Sequence, residues 1–157
     1  MNHRFSVVSC PDMKPSGSGT PWRLSDADFE RLLDFRDGLR RFLHWSQQQA
    51  LDVGITPAQH QLLLAIRGHR GLPSIGDIAD HLLLRHHSVV ELVDRAEHAG
   101  LVRRDHDPDD QRVVRIALTL DGERHLRALA EVHLEELSRI GPRFASLWSH
   151  LPSTGVD

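Results

Sequence analysis

The residues of this chain best equipped for chemistry are hydrogen-bonding donors and acceptors, not nucleophiles. Arg85, His86, His87, Glu91 and Arg95 fall opposite an apolar stripe of Val89, Leu92, Val93 and Ala96 at helical spacing. All five can bond base edges or phosphates. Glu91 is the exception in sign. A carboxylate near phosphates is unfavourable unless it accepts from a cytosine amino group or pairs with Arg95 one turn on. Farther along, Arg112 follows the turn-like run Asp107-Pro108-Asp109-Asp110. There it could enter a minor groove, where narrow A·T tracts concentrate negative potential, with Asp110 orienting it. The same two residues also read as an exposed turn pair worth well under about 1 kcal/mol.

These groups need a frame, and the sequence supplies a helix, a second helix stopped by glycine, and a hairpin. Ser74 and Asp77 form a capping pattern before Ile78, Ala79 and Leu82, which predicts a short third helix. The fourth begins near His86, and Gly100 suits its left-handed C-terminal stop. The period then changes from 3.6 to 2. Val102, Arg104 and His106 alternate with Arg103 and Asp105, and Val114, Ile116 and Leu118 alternate with Val113, Arg115 and Ala117. This predicts two strands joined by the Asp107–Asp110 turn.

Around that lobe the pattern is helical. Ser25 with Asp28 opens a long first helix carrying Phe29, Leu32, Leu33, Leu39, Phe42 and Leu43, and Gly54 breaks it. Thr56-Pro57-Ala58-Gln59 caps a second helix reaching about Gly68. Thr119 caps a fifth helix with Leu126, Leu129, Val132, Leu137 and Ile140, and Gly141-Pro142 is expected to start a separate final helix with Phe144, Leu147, Trp148 and Leu151. The fold class is therefore mainly α with a small β-wing, a winged helix-turn-helix. Residues 1–23, rich in proline, glycine and serine, read as a flexible tail, 24–151 as one domain, and 152–157 as a short C-terminal tail. The lobe covers about 55–120, and helices at about 25–52 and 120–151 flank it.

Composition narrows the function. The 157 residues suffice for one buried core. There is no apolar run able to span a bilayer and no export signal near the N-terminus, so a cytoplasmic protein without membrane contact is expected. The net charge of −3 requires any nucleic-acid surface to be local. From Arg85 to Arg115 six arginines face seven acids, so Arg85, Arg103, Arg104, Arg112 and Arg115 would have to gather on the DNA side. No phosphate loop, nucleophile elbow, dinucleotide fingerprint or paired-carboxylate motif occurs, which argues against an enzyme.

The run from Leu82 to Leu126 resembles the multiple-antibiotic-resistance regulator (MarR) family. It carries Leu92-Val93-Asp94-Arg95, Gly100-Leu101-Val102-Arg103-Arg104, Asp107-Pro108-Asp109-Asp110-Gln111-Arg112 and Leu118-Thr119-Leu120-Asp121-Gly122, in spacings that agree together. The resemblance extends over about Ser25 to Leu151. It implies a homodimer formed by the N- and C-terminal helices, a pseudo-palindromic operator in double-stranded DNA, and repression released by a small-molecule effector. It places the fourth helix, with His86, His87, Ser88 and Glu91, in the major groove and Arg112 in the minor groove. Ser74, Arg85, Arg95, Arg104 and Asp110 complete the expected DNA-facing set. Leu39, Phe144, Leu147 and Trp148 are the expected interface residues.

For an effector, His44, Trp45, Gln48 and His60 are the candidates, with His81 as further lining of a cleft. An indole among Phe42, Leu43 and Leu51 equally reads as core or interface. The 12 histidines raise a metal-responsive alternative through His86-His87 or His125 with His133, yet no ligand motif accompanies them, and no metal or cofactor is expected. Cys10 raises a redox-responsive alternative, although nothing in its proline-rich surroundings would lower its pKa. A last alternative is a winged-helix dimerisation module without DNA affinity, which Glu91 and the acidic balance keep open.

Overall fold

The computed structural model describes residues 24–107, 110 and 112–148. The expected tails, with Cys10, lie outside the described residues, as do Leu151 and the side chains of Leu147 and Trp148. Helix α1 (Asp26–Asp52) starts at Ser25, whose backbone N and Oγ donate to Asp28 Oδ2 at 2.8 and 2.7 Å. Helix α2 (Pro57–Gly68) starts with the reciprocal pair of Thr56 and Gln59. Helix α3 (Ile75–Leu82) starts with Ser74 N and Oγ both donating to Asp77 Oδ2 at 2.8 Å. In each case the side chains satisfy N–H groups that a helix start leaves without partners.

Helix α4 (His86–His98) ends as expected. Gly100 sits at φ +73° and Leu101 N donates back to the Ala96 carbonyl at 2.9 Å. Strands β1 (Val102–His106) and β2 (Val114–Leu118) then pair antiparallel, with Val102 opposite Leu118, Arg104 opposite Ile116 and His106 opposite Val114. Helix α5 (Leu120–Trp148) closes the chain.

The lobe's core joins α2, α3, α4, both strands and the first half of α5. Leu62, Leu63, Ile78, Val89, Val93, Val102, Ile116 and Leu129 are fully buried in it. The apolar stripe of α4 faces inward, so its polar face points to solvent. Among the described residues no helix is long and apolar enough to cross a membrane.

Two expectations change. The break at Gly141-Pro142 does not occur, and α5 runs unbroken through Pro142. Proline removes the N–H that would bond the Ser138 carbonyl, at a cost of about 3 kcal/mol in an isolated helix. Tertiary packing offsets this: the Phe144 ring meets Phe35 edge-on at 5.7 Å and covers Gly38, where a Cβ would come within 2.9 Å of the ring. The amphipathic face of α1 also splits. Its buried residues are Ser46 and Ala50, while Phe29, Leu32 and Leu33 remain 55–59% exposed. The N-terminal half of α1 therefore extends beyond the single-chain core.

Candidate nucleic-acid interface

The polar face of α4 is built as the sequence indicates. Arg85, His86, His87, Glu91 and Arg95 are exposed and Ser88 is half-buried. Arg85 occupies the N-cap but makes no side-chain cap, and the first turn contains no acid. No side chain caps the helix start, and the positive end of the helix dipole there is a favourable setting for an anion. Arg95 Nη1 lies 3.9 Å from Glu91 Oε2, with both side chains about two-thirds exposed. That is a loose i,i+4 ion pair, too long for a hydrogen bond, and weak in water.

Carboxylates shape the hairpin turn. Asp110 Oδ1 accepts from Arg112 N at 3.0 Å, Asp110 N donates to Asp107 Oδ1 at 3.2 Å, and Val113 N donates to the Asp110 carbonyl at 2.9 Å. Asp110 therefore orients the backbone of Arg112, leaving the exposed guanidinium outside that bond. Ser74 spends its hydroxyl on the α3 cap, and its backbone N–H first, then its hydroxyl, hold the Asp77 carboxyl below its usual range, helped by His69 and Arg115.

Other arginines are committed internally. Arg104 Nη2 donates to Asp94 Oδ1 at 2.6 Å, its Nη1 donates to Glu97 Oε2, and its backbone N donates to Glu97 Oε1 at 3.2 Å. Arg115 Nε donates to Asp107 Oδ2 at 2.6 Å and its Nη1 to the Leu72 carbonyl at 3.3 Å. Arg103 Nε binds Asp105 and its Nη1 donates to the Leu118 carbonyl at 3.1 Å. The expected gathering of five arginines on one outer face is thus reduced, because three of them hold the hairpin together.

The candidate ligand residues divide. Trp45 and His60 come together, whereas His44, Gln48 and His81 are exposed. The residue that unites the pair is His133 of α5, whose ring lies 4.9 Å from both Trp45 and His60. His133 Nε2 lies 2.7 Å from Ser46 Oγ, and its Nδ1 lies 2.6 Å from the Leu129 carbonyl. Sequence reading considered His133 only as a metal partner of His125. Its spacing from Leu126 and Leu129 was the signal that it faces inward. Among the described residues no group of three or more His, Cys, Asp or Glu could hold a metal ion.

Two openings flank this cluster. A cavity of about 390 Å³ between α1 and α5 is lined by Arg41, Phe42, Trp45, Arg139, Arg143 and Phe144, among others. A smaller one of about 170 Å³, lined by Leu43, Ser46, Pro57 and His60, lies between α1 and α2.

Comparison with known proteins agrees with this geometry. The sequence pattern of the MarR family matches residues 53–113, from the end of α1 into the hairpin turn. The HTH-type transcriptional repressor MdtR of Bacillus subtilis is 33% identical over 70 residues, which are 45% of this chain and 44% of MdtR. The match thus spans less than half the length of that relative. A MarR family protein from Bacillus stearothermophilus superposes with a TM-score of 0.61 at 28% identity, covering 73% of this chain and 77% of the other. A mutant of Staphylococcus aureus MepR, bound to an oligodeoxyribonucleotide, shares the fold with a TM-score of 0.58 at 21% identity, covering 83% of this chain and 87% of MepR.

Proposed function

We propose that this chain is a MarR-family transcriptional regulator, a homodimeric repressor that binds a pseudo-palindromic operator and responds to a small molecule, a reading supported by the family pattern over residues 53–113 and by the likeness to MdtR and to the Bacillus stearothermophilus protein. The observation that carries the DNA reading is the exposed face of α4: Arg85, His86 and His87 stand at an uncapped, acid-free helix start while the opposite stripe is buried. A helix presented this way fits the major groove, with its first turn toward base edges and phosphates. The exposed Arg112 at the hairpin turn supplies a second contact, to the minor groove. Ser88, Glu91 and Arg95 complete the helix contribution, and Asp110 serves by shaping the turn. MdtR's designation as a repressor and the DNA held by MepR support the same assignment.

Dimer formation is supported by apolar surface that one chain leaves in water. Phe29, Leu32 and Leu33 on α1 and Leu134 and Leu137 on α5 are 44–64% exposed. A second copy would cover them, with Leu39 and Phe144 alongside, and a two-fold pair presents two equivalent recognition helices. Effector response is supported by the openings beside Trp45, His60 and His133, the larger between the flanking helices α1 and α5 and the smaller between α1 and the lobe helix α2. A ligand there would act by changing the angle between α1, α5 and the α2–α4 core.

A fluorescence-anisotropy titration of the duplex upstream of the gene, combined with sedimentation, tests the proposal. Saturable binding of two chains per duplex, weakening steeply with salt, is the expected result. One chain per duplex, or binding indifferent to salt, would contradict it.

A further inference from the structure

A two-stranded hairpin is marginal on its own, so what holds this one decides where its tip points. Its outer flank is fixed near α3: Ile116 N donates to the Pro73 carbonyl at 2.8 Å, and Arg115 binds Asp107 and the Leu72 carbonyl. Its inner flank meets α4 through Arg104. Asp94 and Glu97 stand three residues apart on α4, one turn along the helix, and the guanidinium of Arg104 spans both. Glu97 also accepts from the Arg104 backbone N at 3.2 Å. The side chain is 28% exposed, so these charge-assisted bonds are partly shielded from water.

We infer that Arg104 is a positioning residue, which staples the hairpin to α4 so that the recognition helix and Arg112 meet a duplex as one body. The inference rests on the DNA-binding reading above and assigns Arg104 a role other than touching DNA. Charge favours this. To reach a phosphate, the guanidinium would have to leave two carboxylates, and Asp94 and Glu97 would then stand as bare anions beside the DNA. Held in place, Arg104 cancels part of that repulsion and fixes the lever that carries Arg112. Its planar fork matters, because a lysine ammonium is a point charge that cannot span both acids in this geometry.

The test uses the full chain and a duplex enriched by the wild-type protein from a random-sequence library. Arg104→Gln should weaken binding about tenfold, and in the Arg112→Ala background it should leave the salt slope unchanged, since Arg104 itself makes no phosphate contact to lose. Arg112→Ala should cost about tenfold in the wild type and under about threefold in the Arg104→Gln background, because a misaimed tip has less contact left to lose. In the free protein, Arg104→Gln should speed hydrogen exchange of the β1 and β2 amides and leave α2 and α5 protected.

In the Arg112→Ala background, a salt slope made shallower by about one unit on Arg104→Gln would make Arg104 a phosphate contact and overturn the inference. So would additive losses in the double variant, or unchanged strand exchange. Failure of the wild type to enrich any duplex would overturn the DNA-binding reading and this role with it. Enrichment accompanied by additive losses would overturn the role alone.

Discussion

Ser46 Oγ lies 2.7 Å from His133 Nε2, a bond that joins α1 to α5 across 87 residues of sequence. Because His133 Nδ1 faces the Leu129 carbonyl at 2.6 Å, it donates there, and the ring's other nitrogen meets the serine hydroxyl. The His60 ring packs 4.9 Å away on the same imidazole. Three helices thus meet at two histidines that cannot both be charged without repulsion.

Stability should therefore depend on pH through His60. Burial first, and then His133, pushes its pKa from 6.5 down to about 4. The unfolded chain takes up the proton near 6.5 and the folded chain only near 4, so this contribution is whole above about pH 6.5 and falls away between there and about 4. It amounts to roughly 3 kcal/mol at most. Urea unfolding at about pH 7.5 and about pH 5 should show the wild type losing more stability than His60→Leu. Parallel losses would remove His60 from the account.

Gly122 should tolerate no side chain. A Cβ there would stand 2.0 Å from the Leu101 carbonyl oxygen, which is backbone and itself accepts from Thr119 N at 3.1 Å. Gly122→Ala should cost roughly 2–4 kcal/mol, since the start of α5 must move away from the root of the hairpin. Thermal unfolding checks this, and an unchanged melting temperature would refute the close approach.

The local frame was legible in the sequence because short-range chemistry sets it. Ser25, Thr56 and Ser74 each cap a helix within three residues, and Gly100 ends α4 by its own backbone freedom. What sequence could not supply depends on partners far along the chain. Pro142 read as a break because Phe144 packing on Phe35 and Gly38 of α1 was invisible. Arg104 read as a free cation because its acids lie on another element, and His133 read as a metal candidate because its serine is in α1. The apolar stripe read along α1 is not buried by one chain at its N-terminal half, where Phe29, Leu32 and Leu33 await a surface that a single copy does not provide.

Arg112→Ala should weaken operator binding by about 1–3 kcal/mol, the scale of one specific arginine contact. Folding should be unaffected, because the residue is exposed and Asp110 bonds its backbone N rather than its guanidinium. Equal affinity at equal melting temperature would return Arg112 to the surface.

Glu91→Gln separates repulsion from readout. The loose 3.9 Å pairing with Arg95 predicts a change in stability below about 0.5 kcal/mol. It also predicts no uniform gain in DNA affinity, because losing the acid's charge is offset by losing its hold on Arg95. Affinities for operator and scrambled duplexes measure this, and an equal rise on both would show that Glu91 merely repels phosphates.

The central claim is that two copies of α4 read two related half-sites. Footprinting the enriched duplex at base-pair resolution tests it most directly. The account predicts a two-fold symmetric protected site whose half-site centres lie about 10 base pairs apart, one turn of B-DNA. Protection of a single asymmetric half-site, or no protection at saturating protein, would contradict it.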